Sequence, residues 1–487
     1  MSSDIPAGYN TPIPATITTP DSVDTRIGTL TFRDGFPSAD TATLVYDHLD
    51  FLRGVEAFLS CVPAASVEAL RAGLESVGLT ACHKVWITQE LLDSAPLFLT
   101  GNTDTVYAVA LLDLHRDGPT VVEVPPGCGP GTVDDAWFRF VVDMGMVGPD
   151  RGAGGKYLIV PPGYDGDLPE SGYFVAPSPT YSNCLILRGF LVDGKPDAAT
   201  ELFEKELRVY PLSAADNPPT MQTVAGSKVE MNTIHSNTID YYHELSRVIR
   251  REPIDMIDPE TRGLLASIGI HKDHPFDPDE RMQRLLNDAA AVGNATARAI
   301  AFKTRDPAAF MYPDRAWKTG FIGGDYQWLL DGGRGGRNLD ARTFYFYIAT
   351  VNTPAMAAEM IGAGSQYALL EVDGNGEYLD GGRNYRLRLP ADAPAKQFWS
   401  LVVYDPQTRS ELQTGQTFPG RDSMRDPIVF NDDGTVDMTF GPTEPADRSA
   451  NWIQTVEGKG WFVVLRLYGP LEPWFERTWK PGNIERT

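Results

Sequence analysis

Trp137-Phe138-Arg139-Phe140-Val141-Val142 places one charged residue in an otherwise apolar run, and its reading decides the fold class. A strand with one wet face alternates apolar and polar residues. This one does not, so it predicts a strand buried on both faces within stacked β layers. Similar short runs surround it, separated by Gly and Pro: Thr105 to Leu112, Thr120 to Val124, Tyr157 to Val160, Ser171 to Ala176 and Cys184 to Leu187. Together they predict a β-sandwich over residues 84–212.

Residues 1–37 are rich in Pro, Thr, Ser and Asp and predict an extended arm. Residues 38–83 predict a helical segment starting at Ser38, with Val45, Leu49, Leu52 and Leu59 at helical spacing and His48 packed beside them. The 213–358 region is mainly helical by the same test. Its strongest helices run from Asn232 to Arg250 and from Pro278 to Phe302, the second with Asp277 as expected N-cap. Asp340 to Asn352 suits a helix, although Phe344-Tyr345-Phe346-Tyr347 fits a strand equally well. Strand and turn signals recur in 359–487 and predict a second sandwich or jelly roll. The whole reads as a multidomain α and β protein, mainly β.

The 487 residues carry 42% hydrophobic content, 46 Gly and 38 Pro, enough for several cores joined by many turns. A net charge of -23 without a compact basic stripe argues against nucleic acid as a partner. No segment approaches the roughly 20 apolar residues of a membrane span, so no membrane partner is expected. The chain as it stands reads as cytoplasmic, an exported mature form being the alternative. Cys61, Cys82, Cys128 and Cys184 form no C-x-x-C pair and are read as buried thiols.

Three groups of motifs, in order, carry a family resemblance. The first is Gly101-Asn102-Thr103-Asp104-Thr105-Val106-Tyr107, followed by Leu112-Asp113-Leu114, Val122-Glu123-Val124-Pro125 and Gly155-Lys156-Tyr157-Leu158-Ile159-Val160-Pro161-Pro162-Gly163. The second is Ile268-Gly269-Ile270 with Pro275-Phe276 and Pro278. The third joins Asp380-Gly381, Asn384-Tyr385, Phe398-Trp399-Ser400-Leu401, Asn451-Trp452, Arg466-Leu467-Tyr468-Gly469-Pro470 and Trp479-Lys480-Pro481. The series resembles the bacterial two-domain family of unknown function that pairs the domains of unknown function twelve-fifty-four (N-terminal) and twelve-fourteen (C-terminal). That resemblance implies an immunoglobulin-like β-sandwich, a helical middle domain and a C-terminal jelly-roll β-sandwich. It implies no chemistry.

Asn102, Asp104 and Tyr107 lie at a strand entrance, where polar side chains either reach into a cleft or shape an Asx turn. With Arg466 they supply donors, acceptors and one acid/base group, so Asp104, Tyr107 and Arg466 are the candidate catalytic set. Asn102, Asn384, Tyr385, Trp399, Tyr404, Asn451 and Tyr468 are the candidate ligand contacts, an amide and aromatic set able to stack a sugar. Trp399 and Trp452 also suit core anchors.

No cofactor is assigned. Gly152-Ala153-Gly154-Gly155-Lys156 leads into a strand and not a helix, which excludes a phosphate loop. His271-Lys272-Asp273-His274 could begin a metal site but lacks an identifiable third ligand. Asp373-Gly374-Asn375-Gly376-Glu377 reads as a hairpin turn, and Asp134-Asp135 and Asp432-Asp433 as solvated turns. The expected function is an enzyme or enzyme-like binder of a small polar molecule or saccharide at an interdomain cleft, hydrolysis included. A non-catalytic binding or assembly protein is the alternative, and a homo-oligomer is an expected partner state.

Overall fold

The computed structural model describes residues 11–446 and 451–487. The first ten residues of the expected arm lie outside them. The rest of the arm includes a small three-stranded sheet, Ser22–Thr25, Gly28–Arg33 and Phe36–Pro37, tied by the Thr41 hydroxyl to the helix that follows.

Two layers form the N-terminal sandwich. One sheet runs in the order Gln222–Ala225, Lys84–Ile87, Thr105–Asp113, Ser182–Phe190, Pro130–Asp135, Phe140–Gly145. The other runs Phe174–Pro177, Gly155–Val160, Thr120–Val124, Arg208–Pro211. Val106, Ala108, Leu185 and Leu187 meet Val122, Tyr157, Ile159 and Val209 in the core between them. Both sheets include parallel pairs, Gln222–Ala225 on Lys84–Ile87 and Gly155–Val160 on Phe174–Pro177.

The C-terminal sandwich pairs a six-stranded sheet (Phe310–Tyr312, Arg315–Lys318, Ser365–Leu370, Phe462–Pro470, Ala395–Tyr404, Gly420–Asp422) with a four-stranded one (Trp452–Gln454, Val436–Gly441, Tyr385–Leu389, Ile484–Arg486). Trp399, Leu401, Val463 and Leu465 pack on Leu387, Met438, Phe440 and Ile484. Three short strands of the 213–358 stretch, Gln222–Ala225, Phe310–Tyr312 and Arg315–Lys318, thus belong to the sandwich sheets.

Between the sandwiches lies a helical layer: α1 (Ala39–Ser60), α2 (Val62–Ser76), α3 (Asp240–Arg251), α4 (Glu280–Phe302) and α5 (Leu339–Ile348). Ser38 caps α1 through Thr41 N, as its position in the sequence predicts. For α4 the cap is Asp279, which accepts from Met282 N, and not Asp277. The two helices α1 and α4 approach so closely that a Cβ on Gly54 would lie 2.7 Å from Ala289 Cβ, and one on Gly293 would lie 2.6 Å from Phe58. Tyr241 and Tyr242 of α3 donate to the Phe58 and Gly54 carbonyls, and Glu68 of α2 accepts from Arg71, Arg247 and Arg251. The Phe344–Tyr347 run is helical because α5 is buried on every side from Thr343 onward, which removes any need for a polar face there.

Helix and strand contents are about equal, so the molecule is mixed α and β and not mainly β. The helices bulk so large because they fill the joint between two separate sandwiches. The opening stretch is also different from its reading. Trp137, Phe138 and Arg139 form the turn between Pro130–Asp135 and Phe140–Gly145. Asp135 accepts from Trp137 N, Arg139 N and Arg139 Nε and folds the chain back. The turn is apolar because Trp137 and Phe138 enter the core shared with the helices, where Phe138 stacks on Phe346.

Asp134 and Asp135 are buried rather than solvated, whereas Asp432 and Asp433 are exposed as expected. All four cysteines are free and buried. Asp373 Oδ1 accepts from Asn375 N and Glu377 N, closing the predicted hairpin turn. No single helix among the described residues is long and apolar enough to cross a membrane.

Candidate functional site

Strand alternation gives each six-stranded sheet two working faces. Val106 and Ala108 enter the N-terminal sandwich while Tyr107 and Val109 point the other way, and Ala368 and Leu370 enter the C-terminal sandwich while Tyr367 and Leu369 point outward. Those outward faces share one core with the helical layer. Where they approach, two cross-strand pairs oppose each other: Arg188 sits across from Tyr107, and Arg466 across from Tyr367. Arg188 Nη1 reaches Tyr367 OH at 3.3 Å, linking one pair to the other.

A cavity of about 80 Å³ remains at this junction, lined by Asn102, Tyr107, Arg188, Tyr345, Tyr367 and Arg466 among others. Since roughly 10–15 Å³ of such volume holds one water, there is room for a small organic group or several waters. A second cavity of about 40 Å³ adjoins it and shares Ile186, Arg188, Val351, Met356 and Tyr367. Two β-branched residues of the wall, Thr100 and Val351, have φ of +37° and +64°. Such residues are strained there, and strain of this kind gathers at functional sites.

The loop before Tyr107 is built by Asn102, whose Oδ1 accepts from Asp104 N, Thr105 N and Thr105 Oγ1. Asn102 therefore shapes the turn and also lines the cavity, donating to Tyr107 OH. Arg466 is 3% exposed. Its Nη2 donates to the Thr100 and Gly101 carbonyls, its guanidinium lies 5.5 Å from the Tyr404 ring centroid, and its Nη1 has no hydrogen-bond partner.

Neither Arg188 nor Arg466 forms an ion pair among the described residues. Asp104, which raises the charge preference of Arg466, gives its oxygens to Ser400 Oγ, Tyr468 OH and Thr103 Oγ1. In the adjoining cavity burial pushes the Asp143 carboxyl up to about 7, and it neutralises neither arginine.

Tyr367 is the tuned group. Burial pushes its phenol up, but Arg188 and Arg466 outweigh that and hold it below the usual tyrosine value. Burial raises the other two cavity phenols, Tyr107 and Tyr345. The lining supplies two cations, three phenols and two amides, Asn102 and Gln366, with no imidazole, thiol or carboxylate. It can hold an oxyanion and exchange a proton at Tyr367.

Asn102, Tyr107 and Arg466 are thus brought together, with Tyr404 packed beneath Arg466 and donating to Gly101 O. Asp104 and Tyr468 stand behind the wall and do not line it. Four expected contacts lie away from it: Tyr385 and Trp399 in the C-terminal core, Asn384 exposed, and Asn451 bonded to the backbone of Val429 and Asp437. His271 and His274 have ring centroids 5.8 Å apart, and no cluster of three metal-ligating side chains occurs among the described residues. Sequence reasoning missed Arg188, Tyr345 and Tyr367. Arg188 carried a signal, a lone arginine ending an apolar strand as Arg466 interrupts another.

Two β-sandwiches joined by helices, with a largely apolar cavity carrying a few polar groups at the joint, define the architecture. The chain belongs to the two-domain family of proteins of unknown function that combines DUF1254, matched at residues 83–211, with DUF1214, matched at 364–472. The VPA0106 protein from Vibrio parahaemolyticus is similar in fold, with a TM-score of 0.53 and 16% identity over 90% of this chain and 100% of its own. An uncharacterized protein from Burkholderia cenocepacia aligns at a TM-score of 0.40 and 11% identity, over 92% and 96% of the respective chains. No curated protein matches the sequence.

Proposed function

We propose that the protein binds a small polar molecule through an oxyanionic group, a carboxylate above all and sugar acids included, in the cavity between the sandwiches. Tyr367 exchanges a proton with the bound molecule, which makes the site one for acid–base catalysis on a small carboxylate. The observation that carries this reading is the buried Arg466 guanidinium, which turns an unpartnered Nη1 toward an enclosed space with no carboxylate paired to it. Burying a cation costs several kcal/mol unless a counter-charge meets it, and a bound anion supplies that charge.

Calorimetry with a panel of small carboxylates and their uncharged amide or sugar counterparts tests the reading. Carboxylates are expected to bind and the neutral counterparts not. Arg188→Met, which removes a half-buried cation with few structural bonds, is expected to weaken carboxylate binding by about 10- to 100-fold, the worth of one charge-assisted hydrogen bond. Equal binding of charged and neutral compounds, or an unchanged affinity in a folded Arg188→Met variant, would overturn it.

A second reading, self-association, rests on the outer face of α1, where Tyr46, Leu49 and Leu52 are exposed. Sedimentation of the native protein and of Tyr46→Lys is expected to show a dimer lost in the variant; a native monomer rejects this reading.

A further inference from the structure

A further cavity, about 610 Å³, opens where the helical layer meets the edge of the N-terminal sandwich. Four arginines line it: Arg139 from the 136–139 turn, Arg262 from the helix Pro259–Ser267, Arg337 just before α5, and Arg342 in the first turn of α5. Arg139 spends two nitrogens on Asp135 and the Met256 carbonyl, while its Nη2 is buried with no partner. Arg342 Nε is likewise buried and unpartnered. Neither Arg337 nor Arg342 forms an ion pair among the described residues. Burial lowers both, and a neighbouring guanidinium adds to it, Arg139 acting on Arg337 and Arg337 on Arg342; Asp325 near Arg337 and Glu56 near Arg342 oppose the lowering without reversing it.

The acids that line the same space do not answer this charge. Asp258 caps the helix Pro259–Ser267 through Thr261 N and Oγ1, and Asp255 is turned outward and lies 3.8 Å from Arg262. The first turn of α5 adds the positive end of its peptide dipoles. Aromatic rings complete the walls: Trp137, Phe140 and Tyr326, the last two edge to face with centroids 6.2 Å apart. Phe138 and Trp328, which also border it, hold φ of +48° and +54°. That conformation is uncommon for bulky side chains and is fixed here by their burial in the shared core.

A cluster of guanidiniums short of counter-charge in a strongly acidic protein, walled by flat rings, selects a ligand with more than one negative charge and a planar part. We infer that this cavity is a binding site, distinct from the interdomain cavity, for a small planar molecule bearing a phosphate monoester. Guanidinium forks match phosphate oxygens, and the rings stack the planar part.

Phenyl phosphate, inorganic phosphate and phenol are the probes, titrated against the full-length protein with tryptophan fluorescence as readout. Phenyl phosphate is expected to bind saturably, inorganic phosphate to compete for the same site more weakly, and phenol to do neither. Arg337→Met, at an exposed position, and Arg342→Met are each expected to weaken phenyl phosphate at least 10-fold, while Arg188→Met leaves it unchanged. Arg337→Met serves if Arg342→Met does not fold. No saturable binding of either phosphate, unchanged affinity in folded Arg337→Met, or a loss confined to Arg188→Met would overturn the assignment.

Discussion

Asp104→Ala is expected to destabilise the protein by about 3–5 kcal/mol, the cost of breaking a fully buried charged network by removing one member. Asp104 is 0% exposed and accepts from Ser400 Oγ and Tyr468 OH, side chains of two neighbouring strands of the C-terminal sheet. Its own loop belongs to the N-terminal sandwich, so the carboxylate ties the two sandwiches together. Truncation leaves two hydroxyls unsatisfied and removes a carboxyl that favours the charged form of Arg466. Asp104→Asn retains acceptance at one oxygen and is expected to lose about half as much. Urea unfolding of the three proteins checks the order, native above Asn above Ala. An alanine variant as stable as the native protein would show that the tie contributes nothing.

The second large effect is a rise in stability as pH falls from about 8 to about 5. Burial pushes Asp143 and Glu244 up to about 7, and burial together with Asp104 does the same to Asp422. In the unfolded chain these carboxyls ionise near 4. Between about pH 4 and 7 the folded state therefore holds more protons, and stability is lost as pH rises through that window and is level above it. Glu68, held down at about 2 by Arg71 and Arg251 against the opposing effect of burial, contributes stability that fails only below the ordinary glutamate range, outside the window.

His235 acts in the opposite sense. Burial and Arg409 push it down to about 3, so the unfolded chain takes up its proton as pH falls below about 6.5 and part of the gain is cancelled. The net gain expected from these four groups is on the order of 6 kcal/mol, since one pH unit for one group is worth about 1.4 kcal/mol, each of the three carboxyls gains over about two units and the histidine loses over about one and a half. Asp134, Asp135, Glu252, Glu371 and Glu411, also raised by burial, act in the same direction as the three. Chemical denaturation across this range checks it. A midpoint that falls on acidification above about pH 5 would mean that these carboxyls are ionised in the fold.

How far the sequence spoke for itself differs by element. Alternation and spacing located the strands from Thr105 and Ser182 to Phe462, because burial on one or both faces leaves a local trace. Trp137–Val142 misled because its apolar residues answer to a partner in α5, more than 200 residues away, and because Asp135 turns the chain through bonds to the backbone that no periodicity reveals. The same applies at the cavity. Asn102, Tyr107 and Arg466 stand in motifs that invite attention, whereas Tyr367 lies in an ordinary strand and acquires its character only from Arg188 and Arg466. Asn384, Tyr385, Trp399 and Asn451 look like a ligand surface in sequence, yet three of them are committed to the C-terminal fold. Which face a strand turns to a distant sheet is a tertiary fact, and composition cannot carry it.

Arg188 and Arg466, which form no ion pair among the described residues, flank Tyr367, and the ionisation of that phenol reports them directly. A titration of phenolate absorbance, native minus Tyr367→Phe, is predicted to place Tyr367 below the ordinary tyrosine value of about 10. Saturation with a bound carboxylate is predicted to move it back up, because the anion offsets the arginines. A difference curve at or above the ordinary value, unmoved by any carboxylate, would contradict the account.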